Sequence, residues 1–260
     1  MNRIAWAQSE RKARAKLRPH LKDYIALAAA THRVVEASAV AVQTAFGRPL
    51  PHPIIVQVRL LIAASRDLRV LTVAAGSGYS SQALSLLANV FELAHSIAYI
   101  GDDTERAAKW EHHDAERNTY PPANERDAAI RTTLRALYVP EMHNTPAFED
   151  AVQAQHKLYS RACMAKHGNP LMFRSQGTRL DGGTLAISHG PYVSRASIAQ
   201  ARIALFHGSR LLLGATIVFG RERLENNDDL AMSFVRRVDR VSARLSALVR
   251  RGPADLTDAT

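Results

Sequence analysis

Tyr159, Cys163 and His167 recur every four residues in LYSRACMAKHGNP, so a phenol, the chain's single thiol and an imidazole share one helical face. A cysteine with a histidine one turn later can form a thiolate–imidazole pair, the beginning of nucleophilic chemistry. The end of a helix favours the protonated imidazole, which in turn favours the thiolate. Neither an oxyanion donor nor a third orienting residue accompanies the pair, and a lone cysteine commonly serves as a small buried hydrophobe. Capping explains KHGNP by itself: His167 serves the last turn, Gly168 takes the left-handed position and Pro170 blocks extension. It explains less well the Tyr and Cys before it, unless that face is buried.

Glu92-Leu93-Ala94-His95 sets a carboxylate and an imidazole on one helical face, half of the ligand set of a di-iron bundle. No second Glu-x-x-His exists in the chain. In WEHHDAE, His112 and His113 diverge by about 100° and cannot share one ion. No metal and no cofactor is expected. Glu92 instead lies on the narrow polar stripe Ser85, Asn89, Glu92, Ser96 of an otherwise apolar helix. A buried imidazole at position 167 needs a partner, and Glu92 is the predicted one. The competing arrangement leaves Glu92 facing solvent. The predicted binding set is Glu92, His95, Tyr159, Cys163, His167 and the adjoining Asn169.

Arg202 and His207 enclose four residues, a spacing similar to that of the HEPN ribonucleases, and they supply the alternative catalytic assignment: metal-independent cleavage of RNA. Arg14 with His20, Arg106 with His112 and Arg161 with His167 fit the same window. Roughly three or four such pairs arise by chance in a window so permissive. Ile203 also occupies the place where that motif carries a polar residue.

The elements that must position these groups are well punctuated. A basic opening helix precedes Pro19, which introduces an apolar-periodic segment ending at Phe46, with Gly47 and Pro49, Pro51 and Pro53 beyond it. Helical periodicity returns from Ile54 to Ala75 and in SSQALSLLANVFELAHSIAYI, which should be central. Asp102, Asp103 or Thr104 caps the next helix, and Asn124 opens another that Pro140 closes. Thr145-Pro146 opens the helix bearing Tyr159. Around 171–188 the pattern lapses into a small β-hairpin or extended loop. Ser194 caps a long helix to Phe219, with Gly208 and Gly214 allowing close packing, and Asn227 or Asp228 caps the last. The prediction is all-α: one bundle of about eight or nine helices over residues 1–252, with a disordered tail at 253–260.

Composition fits that class, being rich in Ala, Leu and Arg and poor in aromatics. The formal charge of +10 makes nucleic acid a conceivable partner, although the basic residues are spread along the chain. Self-association through residues 195–219 is a further option, and the partner is otherwise unknown. A single cysteine suits a reducing compartment. No apolar h-region opens the chain, and Glu10 and the scarcity of serine argue against a transit peptide. Apolar runs such as LLLGATIVFG look too short to cross a bilayer. The expectation is a cytoplasmic protein without a membrane span.

LLANVFELAHSIAYIGDD, YSRACMAKHGNP and SHGPYVSRASIAQARIALF together resemble a bacterial family of all-helical proteins with no assigned function, over roughly residues 80–215. That family has a carboxylate on a central helix, then a later helix ending in Tyr and His near a Pro, and is itself distantly HEPN-like. The resemblance implies a polar site from Glu92, Tyr159 and His167, and a binding or sensing role in bacterial stress or phage defence. One departure stands out: Ala88 replaces the arginine that the family carries one turn before its carboxylate.

Overall fold

The computed structural model describes residues 3–113, 121–168, 178–181, 184–187 and 190–251. Asp114, Glu116, Asn169 and the tail 253–260 lie outside the described residues. Eight α-helices occur among them: α1 Arg3–Phe46, α2 His52–Gly76, α3 Ser80–Ile100, α4 Thr104–Glu111, α5 Arg126–Arg135, α6 Pro146–Lys166, α7 Arg195–Leu224 and α8 Asp228–Arg250. The protein is all-α. Between α6 and α7, Thr178–Asp181 and Thr184–Ile187 pair antiparallel, with Thr178 opposite Ile187.

Local chemistry sets most helix ends. The Asp103 carboxylate accepts from the Arg106 N–H at 3.0 Å and starts α4. Ser194 and Ser197 exchange bonds in a capping box at the head of α7. Asn227 accepts from the Leu230 N–H to start α8. Gly101 follows α3 at φ 51°, a conformation that favours a residue without Cβ.

Pro19 does not divide the first segment, and α1 runs through it for 44 residues. An interior proline costs about 3 kcal/mol. Leu17 before it and Leu21 and Tyr24 after it are all buried in the same core, and that shared burial holds the helix continuous.

Helix α3 is the hub. It packs against α2, α5, α6 and α7, and buries Leu84, Leu87, Phe91, Ala94 and Ile97. Gln57 on α2 donates to the Ile97 carbonyl at 2.8 Å, and Ser80 donates to Gln200 on α7 at 3.0 Å. Both bonds satisfy polar groups that burial would otherwise leave unpaired.

The expectation that no segment can span a membrane does not hold. Trp6–Phe46, Ser80–Ile100 and Arg195–Arg221 are each long and apolar enough to cross one. At about 1.5 Å per residue, the 21 residues of α3 extend about 32 Å, against about 30 Å of hydrocarbon. Unbroken runs such as LLLGATIVFG understate this, because intervening Ala, Gly, Ser and Thr keep the average apolar over a full crossing length. The cytoplasmic assignment falls with it. Within the bundle the three windows are covered unequally: 83% of the α7 window is buried, 61% of the α3 window and 44% of the α1 window.

Candidate functional site

Thr145 accepts from the Phe148 N–H and Pro146 occupies the first turn, so α6 begins abruptly and its phase is set. Its buried face is Phe148, Val152, Gln155, Leu158 and Ala162. Tyr159 stands at the edge of that face, half-buried, and reaches α3. Its ring stacks on Phe91 with centroids 4.5 Å apart, while the Arg126 guanidinium lies 4.9 Å over the same ring. Both contacts bear on the phenol and restrict its direction.

The Tyr159 hydroxyl donates to Glu92 Oε1 at 2.9 Å. Lys166, two turns further along α6, approaches Glu92 Oε2 at 3.5 Å. Both charged side chains are about one-third exposed, at 34% for Glu92 and 35% for Lys166. Burial pushes the phenol above the ordinary tyrosine range, and the Glu92 charge and contacts with Cys163 and Glu92 push it further. The hydroxyl therefore keeps its proton and serves as a donor.

Asp67, from α2, completes the cluster. Burial raises its carboxyl above the usual range, while a hydrogen bond with Asn89 and the charge of Lys166 act against that shift. Lys166 is thus the ammonium that two carboxylates, Asp67 and Glu92, both feel. Asn89 and Glu92 are successive members of the polar stripe of α3, so one helical edge supplies a donor to Asp67 and an acceptor for Lys166.

A second ionic group fastens α5 to α6. Arg131 donates to Asp127 at 2.6 Å and, with both terminal nitrogens, to Glu149 at 2.6 and 2.8 Å. His156 Nε2 meets the other Asp127 oxygen at 3.0 Å. Hydrogen bonds from His156 and then Arg131 hold the Asp127 carboxyl below the usual range.

The expected partners of Glu92 are rearranged. His167 is exposed at the end of α6, and among the described residues its ring forms no hydrogen bond or ion pair. Its backbone N–H donates to the Cys163 carbonyl at 2.9 Å, which caps the helix. The neighbouring Lys166 takes the role proposed for the imidazole. Cys163 sits beside the Tyr159 hydroxyl.

His95 is buried in the core, whereas Glu92 is about one-third exposed. Its Nδ1 donates to the Phe91 carbonyl at 2.7 Å, so the lone pair lies on Nε2, which is enclosed without a partner among the described residues. No group of three or more metal-ligating side chains occurs among the described residues.

Arg202 and His207 serve different neighbours. Arg202 donates to the His20 carbonyl at 3.2 Å and lies over the Tyr24 ring, both on α1. His207 is about 140° further round α7. Its Nδ1 is enclosed and unpartnered among the described residues, and the adjacent Arg210 donates to Tyr138 beyond α5 at 2.9 Å.

Asp67, Lys166 and Arg126 are members of the cluster that the spacing of residues did not reveal. Asp67 lies in RDLR, indistinguishable in sequence from a solvated charged turn. The available signal was the stripe Ser85–Asn89–Glu92–Ser96, read as a docking edge for polar groups of other helices. Compared with known protein families, curated proteins and solved structures, the chain matches none.

Proposed function

We propose that this chain is a binding or sensing module whose ligand carries a protonated amine or guanidinium. The supporting observation is the arrangement around Lys166: its ammonium approaches Glu92 at only 3.5 Å, and its charge also acts on Asp67. A ligand cation that displaces Lys166 meets the Glu92 carboxylate within the field of Asp67. The Tyr159 hydroxyl holds Glu92 in place for it. The side chain of Lys166 is long and flexible, so its departure requires no backbone change. The resemblance of residues 80–215 to a helical bacterial family implied Glu92 and Tyr159 among its site residues, together with His167.

Methylguanidinium and n-butylammonium, titrated into the full chain by NMR, test this reading. Both are expected to shift resonances of Glu92 and Tyr159 at millimolar concentration. Lys166→Ala removes the internal competitor and strengthens binding about tenfold, and Glu92→Gln weakens it by about as much. The absence of any shift in the Lys166→Ala protein overturns the proposal.

A further inference from the structure

We propose that the groove between α1 and α8 binds a phosphate group through Arg33, Arg237, Arg240 and Arg244. Positions 237, 240 and 244 are spaced by three and four, so their guanidinium groups form one stripe along α8. Arg33 faces them from α1. Together they surround a cleft of about 130 Å³ whose remaining lining is Ala30, Val34 and Val241.

No carboxylate lines this cleft. Like charges three or four residues apart on a helix repel one another, and a fourth arginine from a second helix adds to that repulsion. An anion seated among them reverses the sign of the interaction. The planar fork of arginine matches phosphate oxygens in pairs, which a point charge cannot do. Pockets for drug-sized ligands run from about 300 to about 1,000 Å³, so this cleft suits a single compact anion.

At Arg33 and Arg237 the cleft opens into a wider hollow of about 520 Å³, walled by Ala37, Val40, Ala41 and Leu230. Val40 is 64% exposed there. Glu36 is the acid of that hollow, and it is engaged by His32 at 3.1 Å. A phosphate with an attached apolar chain would place its head among the arginines and its tail along this wall. The shared chemistry is therefore phosphate, either free or at the head of a lipid. This site is made of α1 and α8, whereas the cation site uses α2, α3 and α6, so either can fail without the other.

The test uses the full chain with two probes. Pyrophosphate is titrated calorimetrically, and phosphatidylcholine vesicles with or without phosphatidic acid are co-sedimented with the protein. The double variant Arg240→Gln/Arg244→Gln is compared with Arg236→Gln, an exposed arginine of the same helix outside the cleft. Pyrophosphate binding that weakens about tenfold or more in the double variant alone assigns a free phosphate. Binding only to vesicles containing phosphatidic acid, lost in the same variant, assigns a lipid headgroup. No binding to either probe overturns the proposal. So does equal capture by both kinds of vesicle without pyrophosphate binding, or equal weakening by Arg236→Gln. Pyrophosphate-induced amide shifts in the unaltered chain give a readout that needs no variant, and shifts that leave α1 and α8 unmoved also overturn it.

Discussion

The phenol of Tyr159 and the carboxylate of Glu92, 67 positions apart in the chain, are joined by a 2.9 Å hydrogen bond that links α6 to the central helix. The bond is charge-assisted, and the aromatic ring behind it stacks on Phe91 and lies near the Arg126 guanidinium. It therefore acts as a fixed strut between two helices rather than a surface contact.

A double-mutant cycle measures that strut. Tyr159→Phe keeps the stacking on Phe91 and removes only the hydroxyl, while Glu92→Gln keeps the shape and removes the charge. Urea denaturation should give a coupling of about 1 kcal/mol between the two changes. Strict additivity would mean that the bond contributes nothing to stability.

The alkaline limb of stability should depend on the same hydroxyl. Its folded-state pKa lies above the unfolded value of about 10, so the native protein keeps a proton that the unfolded chain releases. The stabilisation is complete below pH of about 10 and is lost as pH rises towards the folded value. Denaturation midpoints followed above about pH 9 should fall more steeply in the native sequence than in Tyr159→Phe. Parallel curves would contradict this.

The acid limb has the opposite sign and a different owner. Asp127 has a depressed folded-state pKa, with hydrogen bonds from His156 and Arg131 as its first causes. Its contribution is present above the unfolded pKa of about 3.9 and disappears as pH falls through the lower folded value. Asp127→Asn should flatten the loss of thermal stability below about pH 4. The contribution is small, because the carboxylate is 47% exposed and screened by solvent. An unchanged acid profile would remove Asp127 from the account.

Two glycines of α7 should respond unequally to a methyl group. A Cβ at Gly214 would stand 2.7 Å from the Thr133 methyl and 3.0 Å from its carbonyl oxygen, so backbone must shift. Gly214→Ala should cost about 1 to 3 kcal/mol. At Gly208 the nearest atom is the Leu68 Cδ1 at 3.0 Å, the movable end of a side chain. Helix propensity favours alanine by about 1 kcal/mol there, so Gly208→Ala should be near neutral. Thermal denaturation of the two variants would show the ranking, and equal costs would refute it.

Short-range physics made much of the architecture legible. Capping by Asp103, Thr145, Ser194 and Asn227 acts within three residues, and the prolines and glycines between helices act within one or two. The nearly all-round apolar surface of SSQALSLLANVFELAHSIAYI likewise announced a central helix. Pro19 misled because its local cost is outweighed by burial on both sides of it. Counting unbroken apolar runs hid the three helices able to cross a membrane, since the average over a whole helix governs transfer into lipid.

By itself, then, the sequence determined an all-helical chain, many of its helix ends (though not that of α7, which runs to Leu224 rather than Phe219) and the polar edge of α3. Which groups gather there was decided only by the tertiary structure. Successive residues on a helix differ in direction by about 100°, so the rotation of α6 against α3 decides which cation faces the carboxylate. That rotation is set by how Phe148, Val152 and Leu158 pack, tens of residues from Glu92 in the chain. Packing brought Lys166 to the carboxylate and left His167 in solvent, and it brought Asp67 in from a third helix.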